Sequence, residues 1–283
     1  MKLLRHGPKG QEKPGLLDRD GRIRCLAGVV SDIDGAVLAD GLDALRAIDP
    51  ATLPLVDDDV RRAEPVARVG KFVCIGLNYS DHAAESGMPI PSEPIIFMKA
   101  TSAIIGPDDD VLLPPTSKKS DWEVELGVVI GREARFVPIE RALDHVAGLC
   151  VVNDLSEREY QLERGGQWDK GKGCDTFGPF GPWLVTLDEI ADIGNLGLWL
   201  DVNGRRMQTG NTSSLIFGVP HLIHYVSQFM SLQPGDIIST GTPPGVGMGM
   251  KPPVWLEEGD VITLGIDGLG VQRQRVGRYG VGR

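Results

Sequence analysis

The chain has 283 residues, 41% of them hydrophobic and 24% charged, which suits one large globular domain or a domain with a smaller appendage. A formal net charge of −10 argues against a nucleic-acid partner, since phosphate binding needs a basic surface, and no run of about 18 apolar residues is present to span a membrane. Abundant glycine (37) and proline (20) point to many turns and short strands more than to a helical bundle.

The opening residues carry no apolar signal-peptide core, and Cys25, Cys74, Cys150 and Cys174 form no Cys-x-x-Cys pair. Reduced thiols in a cytoplasmic protein are expected, and not a zinc site. Residues 1–65 read as a small accessory α+β unit. Two short apolar runs flank Asp20-Gly21, a hairpin signal because glycine supplies the positive φ of the turn, and residues 41–48 suit one short helix. Residues 52–68 are acidic, then proline-bearing, and read as a linker.

From residue 70 the texture changes. Residues 71–76 read as a buried strand, and residues 94–99 as another that ends on Lys99. Between them, a short helix over 81–86 would put His82 and Glu85 on one face. At that spacing one residue can orient the other as a water-activating base, or the two can form a surface ion pair.

The stretch 121–131 alternates polar and apolar residues and then gives way to a branched apolar run, the pattern of a strand. Glu123 and Glu125 would lie side by side on one face. Two adjacent carboxylates repel, and burying charge unpaired is costly, on the order of 3–5 kcal/mol for breaking one buried pair. Either that face is open to water or a cation sits on it.

Residues 139–145 are helical in pattern and lead into an apolar strand over 148–154 that stops at Asp154. Strong helix formers follow over 155–161, with Arg158 and Gln161 on the same helical face as Asp154. Residues 168–179 form a glycine-flanked loop carrying Lys170 and Lys172, where glycine permits close backbone approach to a ligand. Asn203-Gly204 marks a hairpin turn. His221 and His224 have metal-compatible spacing on a helix near Pro220 but no evident third ligand. Residues 234–247 run from a strand into a glycine-rich loop that lacks the Gly-Lys-Ser/Thr of a nucleotide loop. Its amides and Thr242 suit a carboxylate.

Taken in order, Gly-x-Asn-Tyr-x-Asp-His-x-x-Glu, Glu-x-Glu, Asp-x-x-x-Arg-x-x-Gln, Gly-Lys-Gly-x-Asp-Thr and Gly-Thr-Pro-x-Gly-Val-Gly resemble the fumarylacetoacetate hydrolase family over about residues 70–283. The resemblance implies a mixed α/β, mainly β fold: a β-sandwich or β-roll catalytic domain over 70–283 behind the small N-terminal domain, usually as a homodimer. It places the metal on Glu123, Glu125 and Asp154, three hard oxygen ligands that favour Mg²⁺, with Mn²⁺ or Ca²⁺ as substitutes, over zinc. It makes His82 and Glu85 the water-activating couple on a closing segment and Lys172 the site lysine. Arg158, Gln161 and Thr242 match substrate-holding positions. Lys99, followed by Ala100 where proline is common in the family, and Asp81, a candidate fourth acid, are left unassigned.

The reaction so implied is metal-dependent hydrolysis of a carbon–carbon bond in a small-molecule 2,4-dioxo acid. The N-terminal stretch, from Lys2-Leu3-Leu4-Arg5-His6-Gly7-Pro8 to Lys13-Pro14-Gly15, looks like the subgroup acting on 2,4-diketo-3-deoxy acids of L-fucose or L-rhamnose breakdown, which would give pyruvate and a short hydroxy acid. Ureidoglycolate cleavage and dioxo-acid decarboxylation or isomerisation are alternatives within the resemblance. A sugar-acid binding module without chemistry is the non-enzymatic one.

Overall fold

The computed structural model describes residues 1–81 and 89–280. Two sheets dominate it. The larger has eleven strands, with the path Ile23–Cys25, Lys13–Leu17, Lys2–His6, Gly178–Val185, Val146–Asn153, Val124–Ile130, Ile237–Ser239, Phe72–Gly76 and Ile95–Lys99. Arg62–Ala63 and Ile104–Ile105 add to its side. The smaller sheet runs Arg205–Asn211, Gly197–Val202, Val261–Ile266, Gly270–Arg278, Val111–Leu113.

Side-chain alternation assigns the faces of the large sheet. Val124, Leu126, Val128 and Ile130 share one core with Leu198, Leu200, Ile262 and Leu264 of the smaller sheet. Val129, Ala147, Cys150 and Val152 point the other way, into a second core with Leu3, Leu16, Ile33 and Leu38. The central strands are thus covered on both faces, which is why Val124–Ile130 is buried throughout. Glu125 belongs to the face of Val129, and there the site lies.

The first 65 residues add strands to the edge of this sheet: Leu3 pairs with Leu184, and Lys13–Leu17 and Ile23–Cys25 form the expected hairpin, with Gly21 at φ +77°. Leu42–Arg46 is the short helix. The Asn203-Gly204 turn is also as expected, with both residues at positive φ.

Two sequence readings need correction. The strand expected over 121–131 is broken at Trp122 and Glu123: Ser120–Asp121 leaves the large sheet and pairs with Ser156–Glu157. Accordingly Leu155 to Glu157 is not helical, and one helical turn, Glu159–Glu163, follows Arg158. Hydrogen bonding to the Ser120–Asp121 strand overrides the helix propensity of those residues. The expected helix over 81–86 lies, beyond its first residue, outside the described residues. Among the described residues no helix is long and apolar enough to cross a membrane.

Candidate active site

A cavity of about 400 Å³ opens on the second face of the large sheet, beside the break at Trp122 and Glu123, and Glu123, Glu125, Arg158, Gln161, Lys172 and Thr242 all line it. Asp154, the residue after Val146–Asn153, completes a group in which one oxygen from each of Glu123, Glu125 and Asp154 lies within 4.8 Å of the others. His82 and Glu85 lie outside the described residues. The irregular backbone at Glu123 is tied down: its carbonyl accepts from the Asp154 N–H at 2.9 Å, and its own N–H donates to Asn153 Oδ1 at 3.3 Å.

All three acids are buried. Lys172 Nζ donates to Glu123 Oε2 at 2.7 Å and to Asp154 Oδ2 at 2.8 Å. Lys99 Nζ lies 2.6 Å from Asp154 Oδ1 but out of line for a hydrogen bond, and donates instead to the carbonyls of Leu155 and Lys172. Arg158 donates through Nη2 to Glu123 Oε1 at 2.6 Å, through Nε to Asp121 Oδ2 at 2.9 Å, and through Nη1 to Gln161 Oε1 at 3.0 Å. Glu125 differs. Its Oε2 accepts from Ser239 Oγ at 2.6 Å and from the Gly241 N–H at 2.9 Å, while Oε1 has no protein donor among the described residues.

The charges follow from this geometry. Burial works against the Lys172 ammonium, but the Asp154 and Glu123 carboxylates outweigh it and raise its pKa, so Lys172 is a donor and not a base. Arg158 is likewise raised, burial being outweighed by Asp121 and Glu123. Burial, reinforced by Asp154 and Glu123, holds the Glu125 carboxyl well above the usual carboxylate range. Once Glu125 is ionised, four carboxylates, Asp121, Glu123, Glu125 and Asp154, face three cations, Lys99, Arg158 and Lys172, leaving the group one positive charge short among the described residues. A hard divalent cation fits this donor set, with oxygen ligands and a carboxylate, Glu125, that has no cation of its own among the described residues.

Other expectations fare differently. The Thr242 hydroxyl is committed to protein: it donates to the Val124 carbonyl at 3.0 Å and accepts from Gln208 Nε2 at 2.8 Å. His221 stacks on Phe217 and Tyr225, and His224 Nδ1 lies 2.7 Å from the Val137 carbonyl. All four cysteines are free thiols.

Sequence reasoning passed over Asp121 and Ser239 and left Lys99 aside. Asp121 takes the Arg158 guanidinium and the N–H groups of Gly247 and Met248. It sits two residues before Glu123, so the period-two pattern that found the glutamates extends to it. Lys99 is the buried last residue of the apolar strand Ile95–Lys99, and a charged residue ending an apolar run is the same signal that drew attention to Asp154.

The profile of the C-terminal domain of fumarylacetoacetate hydrolase matches residues 71–277. A Burkholderia multivorans protein named "Putative hydrolase" is 64% identical over 276 residues, 97% of this chain and 98% of its own length. Among solved structures, a fumarylacetoacetate hydrolase from Exiguobacterium antarcticum is 34% identical with a TM-score of 0.89, over 99% of this chain and 100% of that one. A Mycobacterium abscessus protein described as a probable 2-hydroxyhepta-2,4-diene-1,7-dioate isomerase is 32% identical with a TM-score of 0.85, again over 99% and 100%. Maleylpyruvate hydrolase from Sphingobium sp. SYK-6, solved with manganese(II) and pyruvate, is 30% identical with a TM-score of 0.83 over the same shares. The chain belongs to the fumarylacetoacetate hydrolase family. It is an enzyme acting on carbon–carbon bonds, of the acylpyruvate type.

Proposed function

We propose that the protein hydrolyses the carbon–carbon bond between C3 and C4 of a 2,4-dioxo acid, consuming one water and releasing pyruvate and the carboxylic acid of the acyl group. The observation that carries this reading is the convergence of Glu123, Glu125 and Asp154, the first two of which line the cavity, with Glu125 Oε1 left without a protein donor among the described residues. A divalent cation held by these three acids would supply positive charge at the carboxylate and 2-oxo group of the substrate, so that the carbanionic leaving fragment is stabilised. Mg²⁺ is the assignment preferred for this donor set, with Mn²⁺, the ion in the Sphingobium structure, or Ca²⁺ as substitutes.

The remaining roles fall to the chain itself. Glu85, oriented by His82, takes the proton of the attacking water; this pairing rests on the sequence spacing and the family resemblance. Lys172 spends two of its three N–H donors on Glu123 and Asp154, and the third is available to the oxyanion that forms at C4. Arg158 donates to Asp121, Glu123 and Gln161 Oε1, which orients Gln161 and leaves the Gln161 amide Nε2, together with the second N–H of Arg158 Nη1, to donate to substrate oxygen. With its hydroxyl committed, Thr242 would meet substrate through its main chain. A homodimer is the assembly we propose, as the resemblance implies.

The test is a panel of acylpyruvates and of deoxy-dioxo sugar acids with Mg²⁺, following loss of enol absorbance together with pyruvate. Pyruvate formed in step with enol loss is expected. The isomerase neighbour makes double-bond migration the second reading, and enol loss without pyruvate would favour it. Ureidoglycolate consumed with every dioxo acid untouched would replace both readings. The N-terminal residues that suggest deoxy sugar acids line no part of this cavity, so that finer assignment stands on resemblance alone.

A further inference from the structure

Beside its polar groups, the cavity is lined by Leu77, Phe97, Leu162, Trp168, Met248 and Met250, which form an apolar wall. We propose that this wall is a subsite for a hydrocarbon acyl group, so that the substrate is an acylpyruvate with an alkyl, alkenyl or aryl acyl chain and not a polyhydroxylated one, with Leu77 as a specificity-determining residue. The inference rests on the dioxo-acid reading above and refines it.

Leu77 is the first support. It is held at φ 50°, a left-handed conformation that bulky L residues rarely adopt. Such outliers persist where the surroundings fix them, and here the surroundings are evident. The next residue, Asn78, is buried and donates through Nδ2 to the carbonyls of Phe217 and Thr240, while its Oδ1 accepts from the Phe217 N–H. A Cβ on Gly241 would stand 2.8 Å from Asn78 Cβ, so the loop that supplies a donor to Glu125 also packs against this turn. The turn therefore sets a leucine at a fixed place in the cavity.

The rest of the wall is fixed as well. Trp168 meets Phe97 edge-on with ring centroids 5.5 Å apart, and Lys172 Nζ lies 4.9 Å from the Phe97 ring centre, so this aromatic pair adjoins the acids. A Cβ on Gly76 would fall 2.6 Å from the Trp168 ring, so glycine is needed there for the indole to reach the wall. Asp121 accepts the N–H groups of Gly247 and Met248, anchoring the methionine segment to the carboxylate that holds Arg158. A chain hydroxyl against these groups would lose its water partners without replacement, whereas methylenes would gain burial. Lys251 lies at the exposed rim, and an acidic terminus on the hydrocarbon chain is compatible with the same wall.

The test uses the Mg²⁺-loaded protein. First, kcat/KM is measured for acetyl-, butanoyl- and hexanoylpyruvate. A rise of at least tenfold from the first to the last is expected, since full burial of each methylene is worth about fourfold. Second, calorimetry compares 2-oxohexanoate with a 3-deoxy-2-oxohexonate of equal length, neither of which can be cleaved as a dioxo acid; at least tenfold tighter binding of the former is expected. In Leu77→Asn, which tolerates left-handed φ, the hexanoyl-to-acetyl ratio should fall at least fivefold. Leu162→Gln, at a half-exposed position, should lower the same ratio. Values of kcat/KM that stay flat or fall from acetyl- to hexanoylpyruvate, or the hydroxylated acid bound as tightly, would overturn the subsite. Preferred binding of 2-oxohexanoate without turnover of any acylpyruvate would uphold the subsite and discard the hydrolytic reading.

Discussion

The ammonium of Lys99 and the carboxylate of Asp154 stand 2.6 Å apart with both side chains wholly out of solvent. An exposed pair of this kind would contribute little, but a buried one cannot lose a partner cheaply, because the other charge is left without water. Lys99 also donates to the carbonyls of Leu155 and Lys172, so it joins the strand end bearing Asp154 to the turn bearing Lys172. Lys99→Met is expected to destabilise the fold by about 3–5 kcal/mol in urea unfolding. A loss under about 1 kcal/mol, the worth of a surface pair, would contradict the burial described here.

Glu125 makes stability depend on pH in a definite direction. Its carboxyl is held well above the usual range by burial and by Asp154 and Glu123, so over the interval between its unfolded and folded pKa the folded state keeps a proton that the unfolded state has released. Stability of the metal-free protein contributed by this group is therefore full below the unfolded pKa and falls as pH rises through the folded one. Thermal melting of the EDTA-treated protein should drop as pH is raised above about 4.5. Glu125→Gln should flatten that slope, and a saturating divalent cation should oppose it by binding the ionised form. An unchanged slope in Glu125→Gln would assign the titration elsewhere.

Glu123→Ala and Glu85→Ala should separate metal binding from proton transfer. Removing Glu123 deletes a proposed ligand and strips Arg158 and Lys172 of a shared partner, so metal binding and turnover should vanish together. Glu85→Ala should keep metal affinity by calorimetry while turnover falls about 10²–10⁴-fold, the usual contribution of a general base. Wild-type turnover in Glu85→Ala would discard the base assignment.

Behind the acids, Gly127 leaves no room for a side chain. A Cβ there would lie 2.7 Å from Cys150 Sγ and 2.7 Å from a methyl of Val152. Gly127→Ala is expected to cost about 1–3 kcal/mol by overpacking, with part regained when Cys150→Ala is added. Full additivity of the two would argue against that contact.

Much of the site was legible because strand periodicity and strand ends are local signals. Glu123 and Glu125 declare themselves by spacing, and Asp154 by ending an apolar run. Less legible was whatever depends on long-range pairing. That Ser156–Glu157 joins Ser120–Asp121 instead of starting a helix is decided by pairing across 35 or more residues. The same distance hides the acidic partners of Arg158, whose guanidinium donates to Asp121 and Glu123. The apolar wall is harder still to foresee, since Leu77, Leu162 and Met248 belong to three separate segments and none follows a pattern.

The most direct measurement is turnover of an acylpyruvate, followed by loss of enol absorbance and formation of pyruvate, before and after chelation with EDTA. The account predicts that activity disappears on chelation and returns with Mg²⁺ or Mn²⁺, and that Glu125→Ala cannot be restored by either ion. Pyruvate formation that continues at the original rate in the chelated protein would contradict a divalent cation held by Glu123, Glu125 and Asp154, and with it the proposed mechanism.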